Sequence, residues 1–180
     1  MTTSPRRWLL RQRTTGAHAA LDAVIGGFDD FAGYGAYLRG IAAFRAPIER
    51  QLRHVEWPGR WGEWRPAMVT EAIAQDMADL GIDPRVDPAP PLSLDGDRLY
   101  GTLYVLEGSA LGARLLLQRA EALGLSARYG ARHLACLSGN IAGWRGFLDR
   151  LEEADPFDLE RAVEASVATF GRASHAFEAR

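Results

Sequence analysis

The feature that most constrains this chain is the distance between its helix breakers. Prolines and turn residues gather at a few points, long stretches of 3.6-residue hydrophobic periodicity run between them, and segments alternating β-branched and polar residues are nearly absent. A chain patterned this way folds as packed helices. The periodicity predicts an all-α protein with helices over residues 5–25, 30–54, 66–80, 96–123, 130–153 and 157–178. Residues 57–66, with three tryptophans, two glycines and two prolines, read as a packed connection. The run from Asp83-Pro84 to Pro90-Pro91 is the clearest loop, because proline removes backbone donors and restricts its neighbour. Ser93 or Asp95 is suited to cap the helix that follows, and at the last break Asp155 is suited to cap and Pro156 to open the first turn.

At 180 residues the chain suits a single domain, 1–180, large enough to bury a core without disulfides. A formal charge of -2 gives no general electrostatic reason to expect a nucleic acid or an acidic membrane as partner. All 21 basic residues are arginine, a bias from which no function follows. The single cysteine, Cys136, cannot form an internal disulfide and reads as a small buried residue, so a reducing compartment is expected. Trp8-Leu9-Leu10 is too short for the apolar core of a signal peptide, and no apolar stretch approaches the roughly 20 residues of a membrane span. The expectation is a cytoplasmic protein.

Two helices carry chemistry. In the first, Arg11, Thr15, His18 and Asp22 are spaced four, three and four apart and form a polar stripe along one face, with Leu21 and Ile25 supplying apolar surface beside it. A helical imidazole at the edge of an apolar surface suits axial ligation of heme iron. One ring nitrogen binds the metal, and the other needs an acceptor such as Asp22 to fix tautomer and orientation. Arg11 lies about 10.5 Å along the axis from His18 at 1.5 Å per residue, within reach of a heme propionate. The alternative is a hydrogen-bonded surface histidine with an unrelated arginine.

In the fourth predicted helix, Gly101, Gly108 and Gly112 interrupt a strong helical pattern. Each glycine costs ~1 kcal/mol relative to alanine. Against a total stability of roughly 5–15 kcal/mol, three of them need a compensating use. Gly108 and Gly112 share a face, and missing side chains there admit either a flat ligand with a small diatomic molecule or a closely packed neighbouring helix. Tyr104 lies on the face of Gly108, so it and Tyr100 either wall a pocket or pack. His54, His133 and His175 lack a comparable setting and read as surface or core residues, and no Glu-x-x-His motif for a di-iron bundle occurs.

Taken together, Arg11-Gln-Arg-Thr-Thr-Gly-Ala-His18-Ala-Ala-Leu-Asp22 and Gly108-Ser-Ala-Leu-Gly112 resemble the proximal and distal helix motifs of the heme oxygenase family, the second in its bacterial Gly-Ser branch. Order and spacing agree, and Phe170 and Phe177, seven apart, extend the resemblance over nearly the whole chain. The resemblance implies a compact multi-helix heme oxygenase-like fold. It implies His18 as proximal iron ligand, Gly108, Ser109 and Gly112 on the catalytic distal side, and Arg11, Thr15, Asp22, Tyr104, Arg145 and Phe170 around the heme. It further implies heme as both substrate and cofactor, cleaved to biliverdin, carbon monoxide and iron with O2. Electrons would come from a ferredoxin or reductase, since the chain carries no flavin or nicotinamide motif. A phytochrome is one possible acceptor of the product. Three positions depart from the family pattern: Ser109 stands where an aspartate is common, Ala19 where an acid is frequent, and Ala113 where glycine is frequent. The alternatives are a non-catalytic heme- or bilin-binding sensor, or a helical protein sharing only the fold.

Overall fold

The computed structural model describes residues 5–84 and 90–179, and the described residues form seven α-helices and one short 3-10 turn. The helices are α1 (Arg6–Ile25), α2 (Phe31–Leu52), α3 (Thr70–Asp79), α4 (Asp97–Ala122), α5 (Arg132–Gly139), α6 (Ile141–Glu153) and α7 (Leu159–Glu178), with the 3-10 turn at Gly59–Trp61. The all-α expectation holds. Most of the 83–91 loop lies outside the described residues.

Helix α7 is the spine against which α1, α2 and α4 pack. Its sequence explains why: Ala162, Ala165, Ser166, Thr169, Ala173 and Ala176 are all buried, a small-residue surface that lets partner backbones come close. Gly101 of α4 uses that closeness, since a Cβ there would stand 2.1 Å from the Ala162 carbonyl oxygen and 2.8 Å from Ala165 Cβ. The Ser166 hydroxyl donates to the Gly101 carbonyl at 3.0 Å. On α2, Gly40 receives the ring of Phe177, 2.3 Å from where its Cβ would be. These two glycines are therefore retained for packing.

α3 begins at Thr70 and not at 66 and α7 at Leu159, beyond Pro156, and two caps and one interruption differ from the sequence expectation for local reasons. Neither Ser93 nor Asp95 caps α4, because the Ser93 hydroxyl donates to the Asp95 carboxylate instead, and the cap position is Gly96 with φ 52°. Asp158, not Asp155, caps α7, accepting from the backbone N–H groups of Glu160 and Arg161 at 3.0 and 3.2 Å. The predicted helix 130–153 is two helices broken at Asn140, whose side chain is engaged elsewhere. The tryptophan segment is packed as expected: Trp61 is buried, with its ring 4.5 Å from that of Tyr100 and 5.3 Å from that of Trp64. Cys136, expected to be buried, is exposed, because α5 turns that face outward while Leu134 and Leu137 enter the core.

Candidate heme site between α1 and α4

Helices α1 and α4 both run parallel to α7. Along α1, Arg13 meets Glu160 in a bidentate pair at 2.8 and 2.7 Å, and five residues later the His18 ring stands edge-on to Phe170, centroids 5.6 Å apart. Along α4, Asp97 accepts from the backbone N–H of Asp158, Gly101 lies against Ala162, and Thr102 meets Thr169. Although each packs on α7, α1 and α4 make little backbone contact with each other. Side chains bridge them near the base. The Tyr104 hydroxyl lies within hydrogen-bonding reach of Thr14 and feels the charge of Arg11; burial pushes its ionisation upward while those two neighbours pull it down.

This bridge sets the register. One helical turn beyond Thr14 is His18, one turn beyond Tyr104 is Gly108, and the two helices run in the same direction. The imidazole and the side-chain-free stretch thus each begin one turn beyond the bridge on their own helix. His18 is 61% exposed at its side chain, and its Nδ1 lies 2.9 Å from Asp22 Oδ2, which leaves Nε2 clear of that contact. On α4, a Cβ on Gly112 would meet nothing within 4 Å, and one on Gly108 only Trp144 Cζ3 at 3.9 Å. Unlike Gly101, these glycines are not filled by a neighbouring helix. Leu111 and Leu115 leave further apolar surface exposed on the same helix.

The other predicted positions divide. Phe170 is buried beneath His18, and Asp22 is paired with it. Tyr104 lines the bridge, with its ring 6.0 Å from that of Trp144. Arg11 is exposed, its guanidinium 5.5 Å from the Trp8 ring centroid. Arg145 is exposed on α6, one residue beyond Trp144. The Thr15 hydroxyl is spent on the Arg11 carbonyl at 2.7 Å, and the threonine beside Tyr104 is instead the buried Thr14. The Ser109 hydroxyl donates to the Leu106 carbonyl at 2.6 Å. Ala113 belongs to the core cluster, so its extra methyl packs into protein. Tyr100 packs in the core against Trp61 and Phe157.

Sequence reasoning missed Trp144, which approaches Gly108 from α6, and the buried carboxyl of Glu107 immediately before it. Only the Gly143-Trp144 pair hinted at a close approach there. His54 and His175 are exposed, as read. His133 is a core residue, its Nδ1 2.7 Å from Asp76 Oδ2. Two surface hollows, about 160 Å³ bordered by Leu92, Arg98 and Glu164 and about 370 Å³ bordered by Arg114, Leu117 and Gln118, are lined by neither His18 nor the open glycines. Among the described residues no three His, Cys, Asp or Glu side chains converge as a metal cluster. No helix among them is long and apolar enough to cross a membrane.

The fold is that of heme oxygenases: a crystal structure of the NO- and CO-bound heme oxygenase from Neisseria meningitidis superposes with a TM-score of 0.83 over 98% of this chain and 92% of that one, at 24% identity. No family model matches the sequence. Heme oxygenase PigA of Pseudomonas aeruginosa is 32% identical over 189 aligned residues, covering 92% of this chain and 89% of the relative. The chain thus belongs to the heme oxygenase family of enzymes.

Proposed function

We propose that this enzyme binds heme between α1 and α4, with His18 as the axial iron ligand, and opens the porphyrin to biliverdin with release of carbon monoxide and iron. The observation that carries this reading is the pairing of an imidazole whose Nδ1 is held by Asp22 with a helix, joined to it by the Tyr104–Thr14 bridge, on which Gly112 faces open space and Gly108 meets only the edge of Trp144. A planar group needs such a slot, and Gly101 provides the contrast, because there the absent side chain is replaced by α7. We take residues 1–180 as one domain and Gly108-Ser109 as the mark of the Gly-Ser branch.

When bound, heme supplies both the iron at which O2 reacts and the carbon that is oxidised, with electrons from a separate ferredoxin or reductase. The residues supply placement. Asp22 fixes the tautomer that directs His18 Nε2 toward the metal, and Phe170 buttresses the ring. Gly108 and Gly112 leave room for a diatomic ligand, and Tyr104 and Trp144 close the apolar wall. Arg11 and Arg145 are the candidate partners for the propionates. Thr15 holds the helix backbone through Arg11, one turn before His18. With the Ser109 hydroxyl donating to Leu106, its oxygen is left to accept, so proton delivery on the distal side requires ordered solvent. A phytochrome remains one candidate acceptor of the biliverdin.

The test is titration of the purified protein with hemin, followed by O2 and an electron donor. Stoichiometric binding with a Soret band that His18→Ala loses, then biliverdin formation by the wild type, is the expected result. Binding without conversion would mark a non-catalytic heme protein, and no binding would remove the heme reading.

A further inference from the structure

Glu107 is buried, 1% exposed, yet it forms no ion pair among the described residues. Its two oxygens accept from the backbone N–H of Ala67 at 2.9 Å and from the carboxamide Nδ2 of Asn140 at 3.1 Å. Arg45, the nearby cation, is committed to Glu49 at 2.8 Å and to the carbonyls of Ala67 and Leu106. A charged side chain placed in the core with neutral partners needs a use that offsets its desolvation.

The contacts of Asn140 indicate that use. Asn140 separates α5 from α6, and its carbonyl accepts the first helical hydrogen bond of α6, from the N–H of Trp144 at 3.2 Å. Its carboxamide lies over Gly143, where a Cβ would stand 2.3 Å from Asn140 Oδ1, so no other residue at 143 leaves the amide in place. Gly143 in turn accepts from Trp64 Nε1 at 3.1 Å. The indole of Trp144 then reaches back to Gly108, 3.9 Å from the place of its Cβ. The chain of contacts leaves α4 at Glu107 and returns to α4 at the next residue.

We propose that Glu107 is a positioning residue for the distal side of the heme slot, acting through Asn140 to hold the indole of Trp144 against Gly108. The coupling of Glu107 to Trp144 stands on these contacts, and its consequence for the reaction rests on the heme reading above. Burial raises the ionisation of Glu107 above the ordinary carboxylate range, opposed by the Ala67 N–H, the Arg45 charge and the Asn140 amide. The charged groups around it are Arg45 and, paired with Arg45, Glu49, both from α2. Protonation of Glu107 weakens its acceptance from Asn140, so the position of Trp144 follows pH.

The experiment uses the ligand-free protein labelled with 5-fluorotryptophan, whose five fluorine resonances are assigned by single Trp→Phe substitutions, Trp144→Phe first. The Trp144 resonance is expected to titrate with a midpoint above the ~4.3 of an exposed glutamate. Glu107→Gln should abolish that step, and His133→Gln should leave it. Asn140→Ala should displace the Trp144 resonance at every pH, with a smaller displacement at Trp64 and none at Trp8. In the hemin-loaded protein, both variants should alter the carbon monoxide association rate, read by flash photolysis, while the His18-dependent Soret band persists. A Trp144 resonance indifferent to pH and to Asn140→Ala overturns the proposal. If Glu107→Gln does not fold, the wild-type titration and Asn140→Ala decide it. Failure of the wild type to bind hemin would defeat the heme reading while leaving the fluorine result intact.

Discussion

Two histidines in this chain make the same local contact in opposite surroundings. His18 Nδ1 lies 2.9 Å from Asp22 with both side chains more than 60% exposed, whereas His133 Nδ1 lies 2.7 Å from Asp76 with both at 0%. The exposed pair shares one helix at i and i+4, so the contact is local and its second nitrogen is available to a ligand. The buried pair joins α3 to α5. Asp76 there also accepts from the backbone N–H groups of Arg132 and His133, at 3.0 Å each, and from the Arg132 guanidinium. His133 Nε2 is buried with no hydrogen-bond partner among the described residues. One pair joins two helices in the core, and the other sits at the surface within a single helix.

The sharpest way to break the comparison is to remove each carboxylate. Asp76→Ala strands the His133 ring N–H and two backbone donors in the core, and should cost about 3 kcal/mol or more in chemical denaturation, given ~1–3 kcal/mol per unsatisfied buried group. Asp22→Asn should leave the denaturation midpoint unchanged. Its effect should appear in hemin affinity, as a loss of about 10–100-fold typical of a removed partner of a metal-bound histidine. A large stability loss at Asp22, or none at Asp76, would mean the two roles are misassigned.

Titration separates the pairs next. Burial lowers the ionisation of His133, with Asp76 pulling it back only in part. For Asp76 burial acts upward but is outweighed by the donors from His133 and Arg132, so its net shift is downward. The pair is thus a neutral imidazole donating to a carboxylate. Because the folded state resists a proton that the unfolded histidine accepts, stability is fully present above the unfolded value near ~6.5 and falls as pH drops below it, by at most about 1.4 kcal/mol per pH unit. Asp76 adds to the loss, in the same direction, only once pH falls below the ordinary carboxylate value. Urea denaturation from pH 7 to 5.5 should show this slope, and His133→Gln should flatten it.

Much of the helical layout was legible because it is a local property. Periodicity located the helical stretches, merging only α5 and α6 into one, and it marked Arg11, His18 and Asp22 as one face, since that geometry needs only 3.6 residues per turn. Elements that depend on a partner were illegible. The interruption at Asn140 falls inside a periodic stretch, at a residue whose carboxamide donates to Glu107 across the fold. Of the two adjacent threonines, periodicity drew attention to Thr15 on the polar stripe, but Thr14 faces α4 and is the one buried. His133 looked like any core or surface histidine, because Asp76 lies 57 residues away. The glycines of α4 carried the same ambiguity. Ligand slot and helix contact were both open for them, and the structure divides them, with Gly101 against α7, Gly108 meeting only Trp144 at 3.9 Å and Gly112 toward open space.

That division gives the smallest effect and a discriminating one. A methyl group at position 112 meets no atom within 4 Å, so Gly112→Ala relieves the helix of glycine's backbone entropy without a clash. Thermal unfolding of the ligand-free protein should therefore improve by about 0.5–1 kcal/mol, the usual difference between the two residues in a helix interior. A natural sequence that forgoes this gain at an unobstructed site needs the space for something other than protein. On the proposed reading of α4 as the distal helix, the same substitution should slow oxygen-dependent turnover of the hemin-loaded enzyme, because its methyl group would take space proposed for the diatomic ligand. If Gly112→Ala both stabilised the apoprotein and turned over normally, the glycine would have no functional reason to be there, and the slot between α1 and α4 would have to be wider than a heme requires.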